Sequence, residues 1–432
     1  MNMTNMDSES TLALNGGTPV RTAPFSPWPV FDERESAALE EVLQSGKWWQ
    51  FAYGEGVELK EDPTKPRSFT TRFEEEFAKY HDCAYGIAAA NGTATLELIM
   101  RALDIGPGDE VIVPPYTFIA SATSVLQIGA APIFVDVHPE TLNIDPARIE
   151  EAITPRTRAI MPVHFGGQSA DMDAIGEIAA RHHLAIVEDA AHAHGAEWRG
   201  KKCGSLGDAG SFSFQASKNM TAGEGGAITT NNAKLAERCR SYLWAGREPG
   251  RPWYEHYRLG WNYRITEFQS ALLRIQLSRL PEQTARRVAN GRYLSEQIQK
   301  ILGLIPQKID ERANLPSYHI FMFRYQPEQF GGMPRETFLA ALQAEGIPCL
   351  GGYTHPLYQN PMFLNKDFWK GGFPCVAPYA RDFDYADFAA LCPVSEKLCT
   401  DSVWIPQPVL LGERSDMDDI LEALTKIQGS IV

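Results

Sequence analysis

The chain has 432 residues, 44% of them hydrophobic and 22% charged, the balance of a folded globular protein rather than of a disordered or membrane-spanning one. Its 54 acidic and 40 basic side chains give a formal charge of -14, which argues against nucleic acid or an anionic membrane as a partner. Cys83, Cys203, Cys239, Cys349, Cys375, Cys392 and Cys399 show neither CxxC nor zinc-type His/Cys spacing, no signal peptide opens the chain, and no run reaches membrane-spanning length; a cytoplasmic protein with reduced thiols and no metal is expected.

In chain order, residues 1–30 are polar and then punctuated by Pro19, Pro24, Pro27 and Pro29, a loose tail followed by an extended arm. Helical spacing covers 33–43, and 53–68, rich in Gly, Pro and charge, reads as a long loop, either functional or a plain surface insertion. A helix at 70–80 sets Phe73 and Phe77 on one face. From there the pattern predicts a mostly parallel sheet with crossover helices: strands at 85–90, 109–114, 131–137, 158–164 and 184–188, helices at 94–103, 118–128, 146–153 and 172–182. A hairpin-like stretch at 210–230 is followed by a helix at 233–242, a polar, aromatic loop at 246–262, and a long helix from Ile265 that should break or kink at Pro281. Beyond Leu302 come strands at 317–325 and 402–405 and helices at 335–345 and 417–427. The expected division is a tail and arm (1–30), a large domain (31–302) and a small C-terminal domain (303–432).

Within the hairpin, the apolar run 210–214 gives way to a turn that holds Lys218, and the glycine-rich 223–226 follows. Desolvation there would ease loss of the ammonium proton, and the free amine can attack an aldehyde; a surface loop lysine is the plain alternative. Asn91-Gly92-Thr93-Ala94 ends a strand and opens a helix whose amides can hold a phosphate dianion, or else is simply an N-cap. Tyr116 and Phe118 follow the next strand, and Phe118 is preferred as a ring to lie on a heterocycle, with core packing as the alternative. Glu188-Asp189-Ala190-Ala191-His192 stands at a strand's carboxyl end, where ligands of open α/β sheets gather. Asp189 could keep a ring nitrogen protonated or cap a helix, and His192 could meet the same ligand or be structural. Ser213 could add a hydroxyl to the phosphate, but strand alternation puts it opposite Lys218 unless the strand ends first. In this order the features describe a site for pyridoxal 5'-phosphate (PLP) joined to Lys218. No GxGxxG lies between a strand and a helix, so a nicotinamide dehydrogenase fits poorly.

The segments 91–93 (NGT), 111–118 (VIVPPYTF), 162–164 (PVH), 188–195 (EDAAHAHG), 212–218 (FSFQASK) and 260–269 (GWNYRITEFQ) closely resemble the DegT/DnrJ/EryC1/StrS family of PLP-dependent sugar and cyclitol aminotransferases, from about Pro27 to the C-terminus. The resemblance implies an α/β protein of the aspartate-aminotransferase fold (fold type I), with a large, mostly parallel sheet domain and a smaller C-terminal α+β domain. It implies Lys218 as Schiff-base lysine and proton carrier, Asp189 as the acid paired with the pyridine nitrogen, Phe118 as the stacking ring, and Thr93, Ala94 and Ser213 as phosphate contacts. Asn262 matches a residue that reaches the neighbouring subunit's phosphate, which implies a homodimer with shared active sites. Position 192, commonly Gln in sugar-nucleotide members, is His here. Residues 46–49 (GKWW), Gln215 and 220–226 (MTAGEGG) are similar to two branches, cyclitol aminotransferases and 3-amino-5-hydroxybenzoate synthases, and 318–325 leans to the first. The loop at 53–68 is longer than in either. The expectation is amino transfer from glutamate or glutamine to a keto-sugar or keto-cyclitol by ping-pong half reactions. The alternatives are a dehydrating, aromatising synthase and a PLP-bound regulator without turnover.

Overall fold

Seven strands build the sheet that carries the site: β1 (Tyr85–Ala89), β2 (Glu110–Val113), β3 (Ala131–Phe134), β4 (Thr157–Ile160), β5 (Ala185–Asp189), β6 (Ala209–Ser213) and β7 (Gly226–Thr230). They lie side by side as β1-β7-β6-β5-β4-β2-β3. Pairs from β3 through β6 are parallel, and β7 alone runs against both its neighbours. The computed structural model describes residues 11–55, 66–381 and 383–430. Strands β2 and β3 are buried along their whole length, as apolar strands must be when helices cover both faces of a parallel sheet.

Helices α1 (Glu33–Ser45) and α2 (Phe69–Tyr80) precede the sheet; α3 (Gly92–Ala102), α4 (Ala120–Gln127), α5 (Met172–His182) and α6 (Ala233–Leu243) flank it. Asn91, Asp171 and Asn232 cap α3, α5 and α6 by accepting backbone N–H groups. The helix expected at 146–153 is instead a 3-10 turn, Pro146–Arg148, and one α turn, Ile149–Ala152, too short to hold an amphipathic face.

The long helix α7 (Glu267–Ile298) runs through Pro281 without a break, so of the break or kink expected there the break does not occur. A capping box between Thr266 and Gln269 starts it, and Leu273, Leu277 and Leu280 are buried just ahead of the proline. Packing against α1 and α2 thus outweighs the roughly 3 kcal/mol that proline costs in a helix interior. A second sheet, β8 (Leu304–Pro306), β9 (Ile320–Tyr325) and β10 (Ser402–Pro406), is antiparallel and packs with α8 (Arg335–Ala344) and α9 (Arg414–Gly429). The strand expected from 317 begins only at Ile320, because Tyr318 takes a left-handed backbone (φ +47°) that no strand accommodates.

Two packing details tie distant segments of the chain together. Leu357, Tyr358, Phe363, Tyr385 and Phe388 join the core of the large sheet, four of their rings meeting Phe134 edge-on. The C-terminal third therefore contributes to both cores. At the other end, residues 11–30 are not loose: Leu12 is buried in the small core, Ala13 and Val20 N–H donate to the Glu345 carboxylate, and Arg21 pairs with Asp416 and Asp419. Residues 1–10, and 56–65 of the loop read at 53–68, lie outside the described residues.

Candidate active site

The carboxyl ends of β5 and β6 meet the N-terminus of α3 around a cavity of about 810 Å³. Phe73 and Phe77 of α2 hold β6 in place by meeting Phe212 and Phe214 edge-to-face at 5.0–5.6 Å, each pair adding about 0.5–1.5 kcal/mol beyond burial. Strand β6 ends at Ser213, between those rings, so the alternation that would have separated Ser213 from Lys218 stops in time; both line the cavity. Past the strand, Gln215 accepts the Lys218 N–H (2.9 Å) and holds Ser217 by its side-chain oxygen. The indole N–H of Trp28, from the N-terminal arm, donates to the Ala216 carbonyl at 2.8 Å.

Alternation along β5 separates two neighbouring acids. Glu188 is fully buried on the back face, accepting from Gly204, Leu206 and Gly207 N–H (2.6–2.7 Å) with His164 Nε2 at 2.9 Å. That bonding anchors the strand end, and the next residue, Asp189, is thereby turned to the cavity. Asp189 Oδ2 accepts from Ser121 Oγ at 2.7 Å and Oδ1 from the Ala191 N–H at 3.2 Å. Thr93 and Ala94 open α3 at the cavity's edge; Asn91 Oδ1 takes the Ala94 N–H (2.9 Å), while the first amides of the helix have no intrahelical partner. A Cβ on Gly92 would stand 2.8 Å from Ser213 Cβ, so helix end and strand end touch only because that residue is glycine.

Burial lowers the Lys218 ammonium from its ordinary value to about 8, and the Asp189 carboxylate pulls weakly the other way. His192 is held well below the usual imidazole range by burial and by the Lys218 charge; its Nδ1 has no partner among the described residues, and its ring lies 4.3 Å from that of His319. Phe118 lines the cavity with 57% of its surface exposed, a free aromatic face, while Tyr116 is buried against Phe165 and Ser402. The structure thus brings Thr93, Ala94, Phe118, Asp189, His192, Ser213 and Lys218 to one cavity. Asn262 is elsewhere: exposed, its backbone bridged to Trp244.

Sequence reasoning passed over Glu97, Ser121, His319, Tyr353 and Trp404, which also line the cavity. Helical spacing could have found two of them, since Glu97 lies one turn beyond Thr93 and Ser121 three residues beyond Phe118. The rest arrive from the second sheet or from loops near it, which no local pattern reveals. Among the described residues, all seven cysteines are buried thiols, no group of three His, Cys, Asp or Glu side chains could hold a metal, and no helix is long and apolar enough to cross a membrane.

The profile of the DegT/DnrJ/EryC1/StrS aminotransferase family matches residues 30–425. The L-glutamine:2-deoxy-scyllo-inosose aminotransferase of Streptoalloteichus tenebrarius is 38% identical over 96% of this chain and 97% of its own. The crystal structure of 3-amino-5-hydroxybenzoic acid synthase superposes with a TM-score of 0.82 at 35% identity, covering 94% of this chain and 99% of that one. NtdA from Bacillus subtilis, solved with bound pyridoxamine phosphate (PMP), superposes at 0.75 with 26% identity over 94% of this chain and 85% of its own.

Proposed function

Because the chain belongs to the DegT/DnrJ/EryC1/StrS aminotransferase family, we propose that it moves the amino group of L-glutamine onto the ketone of a polyhydroxylated six-membered ring, a keto-cyclitol, using PLP. The observation that carries the reading is a buried lysine, lowered to about 8, in one cavity with a buried carboxylate and a glycine-built helix end. These residues fit the cofactor. Gly92 leaves the space that a Cβ would fill, where the orphan amides of α3 and Ser213 Oγ can hold a phosphate. His192 lines the same cavity, where its imidazole would meet an oxygen of the ring.

PLP, when bound, supplies an electron sink for the carbon that gives up its proton. Lys218 would hold the cofactor's aldehyde carbon through Nζ, which needs a neutral amine, and would then carry the proton between the two carbons that exchange it. Asp189, oriented by Ser121, would keep a proton on the ring nitrogen. Phe118 would cover one face of the ring and keep water from it. Glutamine and ketone take turns in the same cavity.

A second copy of the chain completes the reading. Trp48, Trp49, Tyr254 and Leu259 are exposed around the loop that bears Asn262, Tyr254 and Leu259 to 84% each, an apolar surface suited to a symmetric partner. Across that interface Asn262 would reach the partner's phosphate. Likeness to 3-amino-5-hydroxybenzoic acid synthase supports a second reading, in which Lys218 also promotes loss of water from the ring.

The test is a donor screen on purified protein with PLP. L-glutamine should bleach the cofactor's visible band, 2-deoxy-scyllo-inosose should restore it, and Lys218→Ala should have no band to bleach. An unsaturated or aromatic product would favour the second reading. Failure of every amino donor to change the spectrum would defeat both.

A further inference from the structure

We propose that His319 reads the hydroxyl groups of the keto-cyclitol, accepting a hydrogen bond from a ring hydroxyl through Nε2. The proposal rests on the aminotransferase reading above and concerns only its acceptor half.

The backbone leading to His319 is held in an unusual way. Tyr318 has a φ of +47°, a conformation that costs a non-glycine residue about 1–3 kcal/mol and persists only where its surroundings impose it. Room for its ring comes from Gly291 in the middle of α7, where a Cβ would come within 2.6 Å of the ring, at a helix cost of about 1 kcal/mol relative to alanine. Ser317 is tied on both sides, its N–H donating to the Gly167 carbonyl (2.8 Å) and its hydroxyl to the His192 carbonyl (3.0 Å). What this strain delivers is one side chain, His319, which lines the cavity with its ring against His192.

The hydrogen bonds then decide what His319 offers. Asn219, next to Lys218, donates its amide N–H to the Ser317 carbonyl at 2.8 Å, and a carbonyl only accepts. The Asn219 oxygen is therefore the atom 3.1 Å from His319 Nδ1, and since that oxygen also only accepts, Nδ1 carries the proton. Nε2 is left as a bare lone pair with no protein partner among the described residues. Burial, with His192 and Lys218 nearby, keeps the ring neutral. The cavity thus meets an acceptor that is neither a donor nor a cation. Such an atom suits a hydroxyl and gives nothing to the carboxylate of an amino acid, so it distinguishes the two substrates that share the space.

The experiment uses full-length, PLP-loaded protein and two variants. His319→Phe keeps a ring against His192 and removes Nε2; His319→Asn removes the ring and its reach. Calorimetry measures the Kd of scyllo-inositol, an unreactive polyol, and stopped-flow absorbance measures the half reaction with L-glutamine. The expected result is a scyllo-inositol Kd raised roughly tenfold in both variants, with the glutamine rate within about twofold of the parent. Unchanged polyol affinity in either variant that still reacts with glutamine overturns the proposal. So does an equal loss of the glutamine step, or loss of cofactor from both variants, since either would make His319 a support of the cofactor rather than a reader of the ketone. A parent protein that does not react with glutamine would instead defeat the aminotransferase reading.

Discussion

The amine of Lys218 is useful only without its proton, and its surroundings set where that happens. Burial outweighs the pull of Asp189 and brings the group to about 8. The sign follows: below that pH the ammonium dominates and cannot attack, above it the amine is free. The rate at which apoprotein takes up PLP should therefore climb about tenfold per pH unit up to pH 8 and level beyond it, read by absorbance. A limb near 10.5, the value of a solvated lysine, would contradict the buried placement. The placement of Lys218 and Asp189 at the cavity was legible from residue type and position, one in a glycine-rich turn and the other at a strand's carboxyl end. The role of Glu188 was not, because two adjacent acids look alike until a strand's alternation and three backbone donors separate them.

Elements meet at the site through contacts that tolerate little change. The start of α3 and the end of β6 touch at Gly92 and Ser213, where an added Cβ would lie 2.8 Å from Ser213 Cβ. Gly92→Ala should push the helix end out, at about 1–3 kcal/mol of overpacking, and raise the dissociation constant for PLP roughly tenfold or more in equilibrium dialysis. The reverse holds for α7, where the proline is tolerated rather than required. Pro281→Ala restores a backbone donor and should stabilise the protein by about 1–3 kcal/mol in denaturant unfolding, with PLP binding unchanged. The helix does not break at Pro281 for a reason that periodicity does not carry, namely that it is packed against α1 and α2 ahead of the proline and into the small core beyond it.

At the scale of the molecule, Asn262 stands apart from the cavity, exposed at the surface. If Asn262 serves the partner, then mixing Lys218→Ala with Asn262→Ala subunits should restore about a quarter of parental activity, since half of the dimers would then hold one intact site. Mixtures no more active than their components would refute shared sites. Hydrophobic periodicity and turn residues alone determined the alternating α/β pattern, the glycine-built turn and the lysine after β6, because these depend on neighbours within a few residues of one another. Tertiary structure alone decided that Ser213 and Lys218 line one cavity, that Leu357, Tyr358, Phe363, Tyr385 and Phe388 pack on the large sheet, that the N-terminal arm reaches the lysine loop, and that a strained Tyr318 turns His319 inward. Those outcomes are set by contacts between segments far apart in the chain, where burial of shared surface overrides what each segment prefers by itself.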